Sequence, residues 1–431
     1  MGLRILIVSD VYPPLIGGVD QQLYQLSKKL VSRGNTVSVC TIWQKGAPEL
    51  EEQNGVLIRR FKNMNSRLPW VTSDPRRINA TPFPDPFVIG GLRRHINEFK
   101  PEVIYAYGWI IYSCVAALVG KKIPLLLSVR EFANTCALRT MMYYGTKPCS
   151  GPEWGKCLNC SIHYYGAGKG IAAGMGVLLG RHLLRWKVTG IHSVSTYMQK
   201  VIRRDLYHRS LPPGRPASQA FPDRVIPSFR DDSDGNLSAE AIRHYLDQLP
   251  DEPFILFVGA LRRVKGIEPL MEAYSRLETP PQLVLIGVPS ADTPQHFPPE
   301  VKVLYNFPHA AVMAAWERSL FSVAPSIWPD PFPNVIHEAM SKGKAVITTS
   351  NGGQTDMVID GKTGLLVPPN DVEALRLAMQ TLIDNPELRE RLGRAGLERS
   401  KLFSSEVVVP HFEELYQEMV DNCSSRSSSH A

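Results

Sequence analysis

Twice along its length this chain alternates short runs of apolar, β-branched residues with longer stretches whose apolar residues recur at helical spacing. Ile5 to Ser9 is a nearly continuous apolar run of the kind buried on both faces of a parallel sheet. Val19, Leu23, Leu26 and Leu30 then share one helical face within Val19 to Arg33, and Thr36 to Ile42 is strand-like again. Strand, crossover helix and strand make the βαβ unit, and its repetition points to α/β domains with parallel sheets. The same order returns in Val103 to Tyr107, a helix through Ala117, Pro124 to Val129, a helix near Ala172 to Trp186, and Ile191 to Ser195.

A stretch rich in Pro, Arg and Asp, from about Tyr207 to Gly235, interrupts the pattern. The grammar restarts at Phe254 to Gly259 and continues through strand-like Leu283 to Gly287, Val301 to Tyr305, Phe321 to Ala324, Ala345 to Thr349 and Leu365 to Val367, with helices between them and after them. At 431 residues the chain exceeds what one hydrophobic core ordinarily serves. Two Rossmann-like domains are therefore expected, residues 1–228 and 229–403, followed by a helix over 404–421 able to pack back on the first domain. The Ser-rich tail 422–431 is too polar to fold by this reading.

Composition narrows the function. Hydrophobic residues at 44% and charged residues at 21% describe an ordinary globular chain. The formal charge of +7 is modest and reads as spread out, which argues against nucleic acid as a partner and favours anionic small molecules or a lipid surface. The stretch from Arg4 reaches Asp10 too soon for a signal-peptide core, and no run has the roughly 18 apolar residues of a membrane span. A cytoplasmic protein is expected, with peripheral contact at the inner membrane surface left open. Arg181-His182-Leu183-Leu184-Arg185-Trp186-Lys187 is basic and amphipathic, which fits either a membrane-surface helix or a partly buried helix with a solvated face.

Three motifs carry chemistry. Gly17 and Gly18 lie between a buried strand and a helix, where open sheets bind ligands and where glycine lets backbone approach a phosphate. Their spacing is not that of a dinucleotide fingerprint. Arg262, Arg263 and Lys265, with Gly266, follow the strand Phe254 to Gly259 and could hold a pyrophosphate, Arg through paired donors and Lys as a point charge. Asp330 lies just before a helix expected to start at Pro333, and Glu338 sits about two turns inside it. Two carboxylates so placed can accept from hydroxyls on two parts of an extended ligand, while the free N–H groups of Asn334 and Val335 open the helix.

From Phe254 to Val367 these motifs resemble the retaining nucleotide-sugar glycosyltransferases of family 4, or group 1, which have the GT-B fold of two Rossmann-like domains facing across a cleft. The resemblance rests on Gly259 to Gly266, on the acids Asp330 and Glu338, on Gly343-Lys344-Ala345-Val346, on Gly352-Gly353 and on Asp360 to Gly364. It implies transfer of a hexose from a UDP- or GDP-linked sugar to the hydroxyl of a saccharide, lipid-linked sugar or small molecule. Glu338 would hold the donor ribose and Asp330 the transferred sugar. Arg262, Arg263 and Lys265 would hold the diphosphate, closed over by Gly17 and Gly18 with Gly352 and Gly353 nearby, and no metal would be required.

The chain departs from that pattern in three places. The first acid, usually Glu, is Asp330; the Arg usual after the phosphate strand's glycine is Ala260; and no histidine ends the strands that finish at Tyr107 and at Arg130-Glu131. Those three residues are acceptor-side candidates. An inactive nucleotide-sugar-binding regulator and a GT-B sugar-nucleotide epimerase stay open as alternatives. Of the seven cysteines, Cys136, Cys149, Cys157 and Cys160 fall in a loop-like insertion over about 131–165 and end in C-x-x-C. Their spacing suits a structural zinc site, with disulfides or free thiols as the other possibilities.

Overall fold

The apolar run after Arg4 becomes the central strand of a sheet, and Ile5, Leu6, Ile7 and Val8 are wholly buried there. In this computed structural model the described residues are 2–14, 18–67, 78–207, 221–230 and 238–428. The chain divides into two units, 1–227 with 408–431, and 228–407.

The strands of the first unit are β1 (Arg4–Ser9), β2 (Thr36–Ile42), β3 (Leu50–Gln53), β4 (Val56–Phe61), β5 (Val103–Tyr107), β6 (Leu125–Val129), β7 (Met142–Tyr143), β8 (Lys147–Pro148), β9 (Gly190–Ser193) and β10 (Asp223–Val225). Eight of them form one sheet in the order β10-β9-β6-β5-β1-β2-β4-β3. All its pairings are parallel except that of β3 with β4. The order reverses at β1: the chain first builds outward through β2 and β4, then returns to add β5 on the other side. Ligands of doubly wound sheets bind beyond the strand ends at such a switch point.

In the second unit β11 (Ile255–Val258), β12 (Leu283–Gly287), β13 (Val301–Tyr305), β14 (Phe321–Ala324), β15 (Ala345–Thr349) and β16 (Leu365–Val367) pair in the order β13-β12-β11-β14-β15-β16. Here the switch lies between β11 and β14. Ile255, Phe257, Leu270, Leu285, Phe321, Ile347 and Met379 lie in one buried cluster that joins this sheet to the helices over it. Both sheets, and the likeness to solved structures described below, give the GT-B fold.

The last helix, Ser405–Ser428, returns the chain to the first unit. Phe412 and Tyr416 set their rings edge-on to Tyr105 at 6.2 and 6.3 Å, and Glu413 accepts from Arg33 at 2.6 Å and Asn35 at 2.8 Å. The helix also runs to Ser428, through most of the stretch expected to be unfolded. Serine is tolerated there because Ser424 Oγ donates to Val420 O and Ser425 Oγ to Asn422 O, which satisfies the hydroxyls locally.

Several elements escaped the sequence reading. Helix Pro86–Phe99 begins with Asp85 accepting from the N–H groups of Phe87 and Val88, and with Pro86 in its first turn. Helix Thr196–Tyr207 and the β3–β4 hairpin were likewise not picked out. The Cys-rich insertion is not loop alone. It contains the β7–β8 hairpin and helix Trp154–Tyr165, which packs on helix Ala167–Lys187.

Candidate functional site

Three loops converge beyond β11, β14 and β15. The β11 loop turns at Gly266 (φ +79°), where a Cβ would lie 2.0 Å from the carbonyl oxygen of Pro325, so only glycine lets it press on the β14 loop. Ile327 N–H donates to Val264 O at 2.9 Å and fastens the same two loops. The β15 loop is tied in by Thr349 Oγ1 donating to Ser326 O at 2.7 Å and Asn351 Nδ2 to Ile327 O at 2.9 Å. Gly352 (φ +70°) then lies against the backbone of Asp330, and Gly353 N–H donates to Asp330 O at 2.7 Å.

Asp330 is thus held by its backbone from two sides and is 6% exposed. Lys265 Nζ donates to its Oδ2 and lies 5.2 Å from the centre of the Trp328 ring. Pro333 serves as the N-cap rather than the first helical residue, and helix Asn334–Ser341 begins with no side chain capping it. Asn334 and Val335 are therefore its first two residues, whose N–H groups have no partner within the helix.

Glu338 is also buried. Arg230 Nη1 lies 2.7 Å and His309 Nε2 3.2 Å from the same carboxylate oxygen. Burial by itself pushes the carboxyl pKa up, but the His309 hydrogen bond and the Arg230 charge outweigh it and hold Glu338 below the ordinary range. Neither Arg230 nor His309 was picked out from the sequence; both are far from Glu338 along the chain and carry no motif.

Arg262 and Arg263 do not join Lys265 at Asp330. Arg262 pairs with Asp292 at 3.2 Å and Arg263 with Glu268 at 3.3 Å, both pairs partly exposed. Acids nearby in the fold set their orientation. Gly17 lies outside the described residues, and Gly18 opens helix Gly18–Ser32.

The acceptor-side candidates fall at the other switch point. Tyr107 ends β5 and is buried, and Arg130 turns inward, donating from Nε to Tyr105 OH at 2.9 Å and from Nη1 to Gln22. Arg130 is therefore core structure rather than surface. The polar cluster at this edge is instead Asp10, Glu131 and Arg139. Asp10 accepts from Ile110 N–H at 2.7 Å, and Arg139 reaches Asp10 and Glu131 at 3.0 Å each while lying over the Trp109 ring at 4.1 Å. Arg139 comes from the Cys-rich insertion, so tertiary folding alone brings it here.

The four insertion cysteines line one internal space of about 20 Å³, room for about one water-sized body. Among the described residues, however, no group of three or more His, Cys, Asp or Glu forms a set that could hold a metal ion. The thiols have local backbone partners: Cys160 Sγ accepts from Tyr144 N–H and Cys157 Sγ from Glu153 N–H, each at 3.3 Å, and Cys149 Sγ meets Gly151 O at 3.6 Å. All seven cysteines are free.

With this geometry in place, comparison with known proteins identifies the family. The profile of the glycosyl transferases group 1 matches residues 239–399, the unit holding Lys265, Asp330 and Glu338, and that of glycosyltransferase family 4 matches residues 16–208. The chain belongs to the group 1, family 4 glycosyltransferases. Among its relatives is the alpha-maltose-1-phosphate synthase of Mycolicibacterium smegmatis, 33% identical over 170 residues, which are 35% of this chain and 43% of that one. The chain spans half or less of the length of the first curated relatives it matches. Among solved structures, sucrose-phosphate synthase from Thermosynechococcus elongatus superposes with a TM-score of 0.69 at 21% identity, covering 96% of this chain and 98% of that one. Anabaena HepE, solved with UDP, gives 0.65 at 18% identity over 96% and 99%. Among the described residues, no helix is long and apolar enough to cross a membrane.

Proposed function

We propose that this glycosyltransferase moves a hexose from a UDP- or GDP-linked sugar to an acceptor hydroxyl with retention of configuration. The observation that carries the reading is the pair of buried carboxylates, Asp330 and Glu338, beside the β11–β14 switch point, one held by Lys265 and the other by Arg230 and His309. An ionised, immobilised Glu338 suits acceptance from the two ribose hydroxyls of a nucleotide. Asp330 would accept from hydroxyls of the transferred sugar. HepE structures hold UDP, UDP with glucose, and UDP-glucose, which supports this donor class.

As the bond from the anomeric carbon to the diphosphate breaks, negative charge collects on the departing oxygens. Lys265 and the open N–H groups of helix Asn334–Ser341 are the donors to stabilise it. Arg262 and Arg263 can join by giving up Asp292 and Glu268, because exposed ion pairs hold weakly. The acceptor oxygen bonds the anomeric carbon on the face the diphosphate leaves, and its proton passes to the leaving diphosphate.

Calorimetric titration with UDP, GDP and ADP tests the reading. Preference for one diphosphate, lost in Glu338→Ala, is the expected result. Absence of binding to all three in the wild type would sink it.

A further inference from the structure

Helix Ala167–Lys187 exposes more apolar surface than its packing explains. Its packed side is lined by small residues: a Cβ at Gly170 would lie 2.5 Å from Ser161 O, one at Gly176 2.4 Å from Pro82 O, and one at Gly180 2.4 Å from the Tyr112 ring. Those glycines let the helix sit close to its neighbours around buried Val177, Leu178 and Leu184, yet a second set of large apolar side chains faces the other way. Ile171, Leu179 and Trp186 are 49%, 51% and 62% exposed. At about 100° per residue, Ile171, Met175, Leu179, His182 and Trp186 fall within about 80° of arc and extend over about 22 Å. Trp154 and Tyr164, at the two ends of the neighbouring helix Trp154–Tyr165, are exposed as well.

Charge is concentrated around this stripe. From Trp154 to Arg204 the chain carries eight Lys or Arg and no Asp or Glu, against a whole-chain net charge of +7, so the charge is not spread evenly after all. Arg203, Arg204 and Lys156 are neutralised by Asp223, Asp205 and Glu153. Lys169, Arg185 and Lys187 meet no carboxylate among the described residues; Arg185 and Lys187 reach only the carbonyls of Leu206 and Lys121. By helical geometry Arg185 borders one side of the stripe, while Lys169 and Lys187 lie about 80° beyond its other edge, at the two ends of the helix.

We propose that this face of helix Ala167–Lys187 docks on an anionic lipid bilayer, with Ile171, Leu179 and Trp186 entering the interface and the flanking cations meeting lipid phosphates. An exposed apolar stripe with cations near it, on a helix not long and apolar enough to span, suits the plane of a membrane interface, where the stripe leaves water and the cations meet phosphates. Tryptophan and tyrosine at the margins prefer the headgroup region. A nucleic acid would satisfy the cations but leave the aliphatic stripe in water, so the lipid surface is the better match.

The test is flotation of the full chain with vesicles of phosphatidylcholine alone or mixed with phosphatidylglycerol. Association with the mixed vesicles, weakened by salt, absent on neutral ones and reduced about tenfold in the exposed-site variant L179E/W186E, is expected. A melting curve matching wild type shows that the variant folds. The wild-type comparison between the two vesicle types stands without the variant. No flotation with anionic lipid, equal flotation on both vesicle types, or undiminished flotation of a folded variant overturns the proposal. Self-association without flotation, lost in L179E/W186E, also overturns it and assigns the face to a second copy of the chain. None of these readouts depends on glycosyl transfer.

Discussion

Arg230 and His309 converge on one oxygen of Glu338, at 2.7 and 3.2 Å. The carboxylate is therefore fixed and ionised before any nucleotide arrives. Arg230→Ala leaves a buried carboxylate short of its guanidinium partner and should cost about 1–3 kcal/mol by urea denaturation. Because the Glu338 pKa is lowered on folding, its stabilisation is fully present above the ordinary carboxylate value and is lost as pH falls through the lower folded one. The stability gap between wild type and Glu338→Gln should thus hold steady above about pH 5 and close below it. A gap that widens on acidification contradicts this assignment.

Asp330 and Lys265 should separate binding from turnover. Asp330→Ala is expected to retain nucleotide affinity and lose turnover, while Lys265→Ala loses about 10²–10³-fold in kcat because a donor to the departing diphosphate is gone. Steady-state kinetics with titration of the diphosphate measures both. Unchanged kcat in the two variants removes them from the reaction.

Gly352 fixes the position of Asp330 by absence of a side chain. A Cβ there would lie 2.5 Å from Asp330 O, and the residue sits at φ +70°. Gly352→Ala should cost about 1–3 kcal/mol and reduce turnover through displacement of Asp330. Denaturant melts and kinetics on the same preparation check it; full activity at wild-type stability would show that the loop gives way freely.

In the first unit, Arg139→Ala strips Asp10, only 1% exposed, of its guanidinium. We expect a loss of about 3 kcal/mol in unfolding free energy. If this edge faces the acceptor, transfer should fall more than slow hydrolysis of the donor. Equal losses in both reactions would make Arg139 purely structural.

His192 lies under the C-terminal helix, bonded to Ile226 O at 2.8 Å and Ser128 at 3.1 Å. Burial first, then the Arg130 charge, push its pKa down to about 3. A lowered folded pKa means that its contribution is intact above the unfolded value near 6.5 and drains away as pH falls toward 3. Wild type should lose up to about 1.4 kcal/mol per pH unit through this group below about pH 6. His192→Asn should flatten that slope in urea melts run across the range.

The sequence by itself determined the layout: apolar runs such as Ile5 to Val8 and Phe254 to Val258 could only be buried parallel strands, and the loops after them could only lie at the ligand-binding edge of their sheets. Lys265, Asp330 and Glu338 stand out as candidates because each lies within a local motif whose backbone path is set by neighbouring glycines and prolines. Tertiary structure decided the partners. Arg230 and His309 reach Glu338, Arg139 leaves the Cys-rich insertion to meet Asp10, and Arg262 turns to Asp292, all through separations in sequence that no periodicity records. It also decided which face of helix Ala167–Lys187 is outside. The apolar pattern there runs around the helix, and only the close packing permitted by Gly170, Gly176 and Gly180 shows which side the rest of the chain leaves uncovered.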